Sequence, residues 1–333
     1  NPDSNLKRLN IGNGLGQMLF VIPTFIYYVS YDLNLGFRSG AVPLALGVIV
    51  VGLALLANRL QADSPPAKQQ MFPVAVAFAL LILPLGFLIG WRSPDSGPHT
   101  GETIRVMSYN LHQGFNTEGR LDMEAIAQVI EASGADVVAL QEVSRGWLTA
   151  GSLDMLSWLS HRLDMPYVFG PTADPVWGNA ILSRLPFSDT THPLPTDDLL
   201  LRRGYIRAEI LTDFGEITIF ATHFHHRGDG SEIRQAQAET LLATWNGIPR
   251  AIILGDLNSL PATPEMTLFR EAGFVDSSQL ITGPLLRNTY PSTNPARQID
   301  YIWVTPDFTP LEFEIISSTA SDHLPVVVEL EIE

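Results

Sequence analysis

The sequence predicts an α/β protein, a four-layer sandwich of two packed mixed β-sheets flanked by helices, preceded by transmembrane helices. Three observations carry that prediction. Apolar residues concentrate in the first ninety positions, in stretches close to the ~20 residues that cross a bilayer. From Thr103 onward, short segments with period-two apolar patterning outnumber those with helical spacing, as expected for sheets packed together with helices outside. Charge segregates in the same way: a mean hydropathy of +0.14 coexists with a net charge of −15. Residues 1–92 carry six basic and three acidic residues, whereas the remainder has 14 arginines, no lysine and 32 acidic residues, a balance of −18. A surface that acidic repels polyphosphate backbones, which disfavours nucleic acid as a substrate. Cysteine is absent, which excludes disulfides, thiolate zinc sites and a cysteine nucleophile.

Three apolar stretches, about 11–31, 41–57 and 72–90, are expected to be membrane spans, since none has an interior charge. The segment LALGVIVVGLALLA is apolar on every side and cannot be a water-facing helix. Pro23, Pro43, Pro73 and Pro84 are tolerated in such spans, and Tyr27, Tyr28, Tyr31 and Trp91 fall at span ends, where amphipathic rings favour the headgroup layer. Lys7 and Arg8 precede the first span, Arg38 lies in the first loop, and Arg59 and Lys68 lie in the second. The positive-inside rule then puts the N-terminus and second loop in the cytoplasm and everything after Arg92 on the exoplasmic (periplasmic or extracellular) side of a multi-pass protein. The chain begins without methionine, so further spans can precede Asn1. Residues 93–102, rich in Pro, Gly, Ser and Thr, read as a linker, reaching only ~35 Å when extended.

The domain from 103 to 333 reads in order. Strands are expected at Thr103–Asn110, Asp136–Leu140, Tyr167–Phe169 and Gly178–Ser183. A hairpin follows at Tyr205–Leu211 and Glu216–Phe224, turning at Asp213-Phe214-Gly215, and further strands are expected at Ala251–Leu254, Ile299–Val304, Leu311–Ile316 and Pro325–Ile332. Helical spacing marks Leu121–Ser133, stopped by Gly134, then about Leu153–Leu163, Ser231–Trp245 and Pro264–Ala272. The rest of 261–295 looks irregular.

Polar residues repeatedly occupy strand ends: Asn110, Glu142, Asn179, His223, Asp256 with Asn258, Asp300, and Asp322 with His323. Burying such groups without partners costs several kcal/mol. Any single one reads most simply as a turn or cap residue, but so many on converging strands point to a site with oxygen ligands for a hard divalent cation and two histidines.

The segments SYNLH, LQEV, GNAILS, THFHH, GDLNS, QIDYIW and SDHLPV, in this order, resemble the endonuclease/exonuclease/phosphatase (DNase I-like) superfamily. That group includes nucleases, inositol polyphosphate phosphatases and bacterial sphingomyelinases. The resemblance covers about residues 103–332. It implies Glu142 as the principal carboxylate ligand of Mg²⁺, for which Mn²⁺ can substitute, with Asn110 nearby and Asp322 as a second acidic group. It further implies Asp256 as the group that orients and deprotonates the attacking water, Asn258 as a donor to a phosphate oxygen, His323 on the scissile phosphate held by Asp300, and His223 as general acid. Asn179 fits a phosphate or network position. Arg203 and Arg207, flanking GYIRAEI, are candidates for further phosphate contacts, with a solvated arginine the equal alternative. His225, His226 and Arg227 read as a solvated loop in preference to a leaving-group or zinc site.

Membrane spans joined to such a domain also resemble, more weakly, the GPI-anchor lipid-remodelling proteins. The expectation is therefore a membrane-embedded, Mg²⁺-dependent phosphodiesterase acting on a phospholipid or related headgroup. The alternatives are an extracytoplasmic nuclease and an inactive binding domain, the latter opposed by the intact set Glu142, Asp256, Asn258, Asp300 and His323. Nothing in the sequence calls for an obligate protein partner.

Overall fold

The computed structural model describes residues 2–30, 33, 35–37, 40–60, 76, 78–80, 82, 85–86, 92–98, 101–196, 201–280 and 287–332. The chain divides into two compact units, one on Asn1–Arg92 and the other on Ser93–Asp197 with Arg202–Glu333.

In the first unit, α1 spans Pro2–Val29 and α2 spans Ala41–Leu60. Helix α1 starts well before its apolar stretch, and the polar Asn13 and Gln17 dilute that stretch. Among the described residues no helix is long and apolar enough to cross a membrane. Both helices nevertheless expose large apolar side chains, with Phe25 at 68% and Leu44 at 71%. The expected third span, about 72–90, lies mostly outside the described residues.

The second unit is the sandwich. Its strands are β1 Thr103–Asn110, β2 Val137–Ser144, β3 Tyr167–Asp174, β4 Trp177–Ser183, β5 Phe187–Pro193, β6 Gly204–Thr212, β7 Gly215–His223, β8 Ala251–Asp256, β9 Val275–Asp276, β10 Asp300–Val304, β11 Phe308–Ile315 and β12 Val326–Ile332. They form two six-stranded sheets, ordered β11-β12-β1-β2-β4-β3 and β5-β6-β7-β8-β10-β9. Both sheets are mixed: β1 runs parallel to β2 and β7 parallel to β8, while the other pairs are antiparallel. The helices are α3 Met123–Ser133, α4 Met155–Leu163, α5 Ser231–Trp245 and α6 Pro264–Glu271. Asp122 caps α3 and Asp154 caps α4, each accepting a backbone N–H in the first turn, and Gly134 ends α3 in the left-handed conformation.

Side-chain alternation decides which residues meet between the sheets. Ile104, Val106, Ile217, Ile219, Ala221, Ile252, Leu254, Ile302, Val304, Val326 and Val328 form one buried cluster there. On the outer face of the second sheet, Phe220, Ile253, Tyr301 and Trp303 pack with Ala238 and Leu241 of α5 and Met266 and Phe269 of α6.

Several elements depart from expectation. Residues 93–98 run along the second unit, with Gly97 N–H donating to the Arg184 carbonyl at 2.8 Å. Strand β5 was not apparent because its mostly exposed, polar FSDTTHP carries little apolar period. Two-residue β9 lies inside the stretch read as irregular. Strand β2 continues past Leu140 because a bulge lets it resume pairing with β4 at Val143.

Candidate active site

The inward-facing positions of the core strands continue into polar residues at one end of the sandwich. Asn110 extends the series Ile104, Val106, Ser108; His223 extends Ile217, Ile219, Ala221; Asp256 extends Ile252, Leu254; and Asp300 precedes Ile302, Val304. Register places His223 directly opposite Asp256, and Asp256 opposite Asp300, so one row across β7, β8 and β10 carries all three. All three are about 2% exposed. The first sheet closes over this row. Asn110 Nδ2 donates to Asp256 Oδ2 at 2.9 Å, and His323, just before β12, sets its Nδ1 2.9 Å from Asp300 Oδ2.

Two carboxylates adjacent in register repel unless a cation lies nearby. His323 supplies that charge: burial opposes its protonation, but Asp300 and Asp256 outweigh burial and hold its imidazole up to about 10. Its proton on Nδ1 goes to Asp300, which also accepts the Thr289 hydroxyl at 2.5 Å, while Nε2 lies 3.7 Å from Asp256 Oδ2. That separation exceeds a hydrogen bond and leaves the Nε2–H free for a phosphoryl oxygen. Burial pushes the Asp256 carboxyl up to about 7, against the pull of His323 and with the Asp300 charge adding. Asp256 Oδ1 accepts the Asn258 N–H at 3.0 Å, and Asn258 sits at φ 49° with Nδ2 donating to the Phe224 carbonyl at 3.3 Å.

Glu142 lies in the bulge of β2, where Gln141 and Glu142 together oppose Asn179. Its φ of 56° turns the half-buried side chain away from the strand's regular alternation. Among the described residues its carboxylate makes no hydrogen bond or salt bridge, yet its charge is felt at Arg203. An unpartnered carboxylate on strained backbone fits a hard cation, so Glu142 would hold the metal, with Asn110, whose Oδ1 also accepts the His112 N–H at 3.0 Å, as a candidate second ligand. Asp322 is not drawn into that group: its Oδ1 faces His112 Nδ1 at 3.7 Å and accepts the Ser321 hydroxyl at 3.4 Å. The acidic and imidazole ligand atoms that do converge, within 4.8 Å among the described residues, belong to Asp256, Asp300 and His323. That buried trio could also hold an ion, although the Asp300–His323 hydrogen bond already occupies part of it.

His223, expected as the general acid, sits between Arg203 and Asp256, with Nδ1 3.0 Å from Arg203 Nη1 and Nε2 3.3 Å from Asp256 Oδ2. Burial, then the charges of Arg203 and His323, hold it well below its ordinary value. It is a neutral imidazole and not a proton reserve. Asn179 turns from the row to donate to the Gly204 carbonyl at 2.9 Å, the acceptor it shares with the Thr222 hydroxyl. Arg203 is 3% exposed and lies over the Trp177 ring at 5.7 Å. Arg207 is a correction. It falls between the inward-facing Ile206 and Ala208, so its side chain leaves on the outer face, where Nη2 donates to Glu209 at 2.6 Å. Of the loop after His223, His226 and Arg227 are exposed as expected, but His225 is buried and its N–H donates to Gln237.

Sequence reading missed Thr289 and Tyr290, the latter's ring 4.8 Å from that of His323. It also missed Ser321, whose hydroxyl donates to the Asn110 carbonyl at 2.7 Å, and Trp177, stacked on Trp147 at 5.6 Å. No motif marks Thr289, whereas Ser321 stood within SDHLPV.

The site is thus a buried aspartate and a histidine–aspartate pair at one end of a two-sheet sandwich, with the open carboxylate of Glu142 on the adjoining β2 bulge. The model of the endonuclease/exonuclease/phosphatase family matches residues 107–323, and the chain belongs to that family. It is similar to protein cwh43 of Schizosaccharomyces pombe, 26% identical over 208 residues; this covers 60% of the chain and 21% of that protein, so the chain spans about a fifth of its length. Among solved structures, it resembles the endonuclease/exonuclease/phosphatase from Beutenbergia cavernae with a TM-score of 0.60 and 25% identity, covering 69% of this chain and 72% of that one. The mannosyl-6-phosphatase Bt3783 of Bacteroides thetaiotaomicron shares the fold, with a TM-score of 0.56 and 23% identity over 68% of this chain and 99% of its own.

Proposed function

We propose that this chain is a membrane-anchored phosphodiesterase that takes Mg²⁺, or Mn²⁺ in its place, and hydrolyses a phosphoester in a phospholipid or related headgroup. The observation that supports hydrolysis most directly is Asp256, a buried carboxyl held near neutrality and locked by the Asn110 amide and the Asn258 N–H. A base with such a pKa takes a proton from water at physiological pH. The O–H bond of the water breaks toward Asp256, its oxygen forms the new bond to phosphorus, and the ester P–O bond breaks, the leaving alkoxide taking a proton from solvent. His323 offers its free Nε2–H to the phosphoryl oxygens, and Asp300 with Thr289 holds the ring in place. A bound divalent cation would polarise the phosphoryl group as a Lewis acid.

The lipid reading is supported by the acidic second unit, which repels long nucleic acid, and by the apolar side chains exposed along α1 and α2. The full chain in detergent, with Mg²⁺, is offered phospholipid vesicles, sphingomyelin, inositol phosphates, bis-p-nitrophenyl phosphate and plasmid DNA in parallel. Headgroup release is expected, and chelation with EDTA should abolish it. Plasmid nicking without headgroup release would replace the lipid reading with a nuclease, and metal binding without any turnover would leave a binding domain.

A further inference from the structure

Arg203 is a buried cation whose nearest partners are imidazoles. It stands just before β6, 3% exposed, with Nη1 3.0 Å from His223 Nδ1 and Nη2 3.3 Å from His226 Nδ1. Its Nε is buried and makes no hydrogen bond among the described residues. Burying a guanidinium without a carboxylate in contact costs free energy that an apolar residue over Trp177 would avoid, so stability alone does not account for it.

We propose that Arg203 is a positioning residue that fixes the tautomer of His223 and, through it, selects the Asp256 oxygen that receives the proton from water. A guanidinium has only donors and does not deprotonate in proteins. The His223 nitrogen facing it must therefore present a lone pair, and a neutral imidazole with a lone pair on Nδ1 carries its proton on Nε2. That Nε2 lies 3.3 Å from Asp256 Oδ2, close enough for its N–H dipole to act on the carboxylate without a formed hydrogen bond. Oδ2 already accepts from Asn110 Nδ2 at 2.9 Å, so that hydrogen bond and the adjacent Nε2–H together screen this oxygen from a further donor. Oδ1 accepts a single donor, the Asn258 N–H at 3.0 Å, and keeps one lone pair open. The proton of the attacking water goes there. Without Arg203 the imidazole is free to place its proton on Nδ1 and turn a lone pair toward Oδ2, which sets two acceptors against each other and frees the wrong oxygen.

The tautomer follows from the geometry alone, while its consequence for turnover rests on the hydrolytic reading above. The test has matching arms. Nitrogen NMR of the full chain with isotope-labelled histidine, assigned with His223→Gln, should show His223 protonated on Nε2 and not on Nδ1. Arg203→Met removes the donors at similar volume and should give mixed tautomers. With bis-p-nitrophenyl phosphate and Mg²⁺, its kcat should fall about 10–100-fold, as when a partner that orients a working side chain is lost. KM should stay nearly constant, and Arg203→Lys should recover part of both signals. A proton on Nδ1 in the unmodified protein, an unchanged tautomer in Arg203→Met, or a raised KM at constant kcat would overturn the proposal; the last would make Arg203 a direct phosphate contact. If Arg203→Met does not fold, the spectrum of the unmodified protein decides. If that protein shows Nε2–H but hydrolyses nothing, the hydrolytic reading fails and the tautomer assignment stands.

Discussion

Asp256 and Asp300 face each other across β8 and β10, and the imidazolium of His323 lies against both. Two titrations follow, with opposite effects on rate. Asp256 must lose its proton to act, so kcat/KM should rise as pH passes about 7, and His323 must keep its own, so the rate should fall as pH passes about 10. A bell between those limbs is expected in a pH–rate series; a flat profile would separate these residues from the chemistry. For stability, the folded-state value of His323 lies above its ordinary 6.5, so its contribution is fully present below that value and is lost as pH rises through about 10. Asp256→Asn and His323→Ala should each lower kcat at least ~10²-fold, and near-normal turnover by either would refute its role. At this scale the sequence was informative wherever a polar residue continued an inward-facing series, as Asn110, His223, Asp256 and Asp300 do. The same alternation, applied to Arg207 between Ile206 and Ala208, would have removed it from the site. The partner of His223 was not legible, because Arg203 lies twenty positions away and meets it only through the β6–β7 pairing.

At the scale of elements, small backbone irregularities aim the site. The bulge in β2 turns Glu142 out, and no sequence period announces a bulge. Gly255, immediately before Asp256, has φ 149°, and a Cβ there would lie 1.9 Å from the Thr222 carbonyl oxygen of the parallel neighbour β7. Gly255→Ala should therefore force β7 and β8 apart at the row that carries His223 and Asp256, costing about 1–3 kcal/mol in urea unfolding and lowering activity in the fraction that folds. The loop between β7 and α5 is held differently. Arg234 donates to the carbonyls of His225 and Arg227 and, at 2.7 Å, to Glu265, which also accepts the hydroxyls of Ser231 and Ser259. Both members of the pair are at most 4% exposed. Glu265→Leu leaves the Arg234 charge buried and unpaired, which should cost about 3–5 kcal/mol. A urea midpoint unchanged at constant slope would show that the pair is dispensable. Helix α5 was legible from Ser231 to Trp245, yet its use of Arg234 as an anchor was not, because Glu265 belongs to the next helix.

For the whole molecule, charge and hydropathy separate the chain at about residue 92, and the sandwich beyond that point was legible because its strands alternate and its motifs occur in family order. The membrane region rests on composition: the segment from 72 to 90 lies mostly outside the described residues, and α1 and α2 expose apolar side chains such as Phe25 and Leu44 that water does not favour. Under the proposed anchoring, lipid would bury those surfaces, and the placement of Lys7, Arg8, Arg38, Arg59 and Lys68 would set the direction of crossing. The three spans expected from the sequence would put the second unit on the side opposite Lys7. Protease added outside intact cells or spheroplasts should therefore remove the unit beyond residue 100 while a tag at the N-terminal end stays protected. Complete protection of that unit would reverse the orientation, and release of the whole chain from membranes by alkaline carbonate would remove the anchoring from the proposed function while leaving Asp256 and His323 their chemistry.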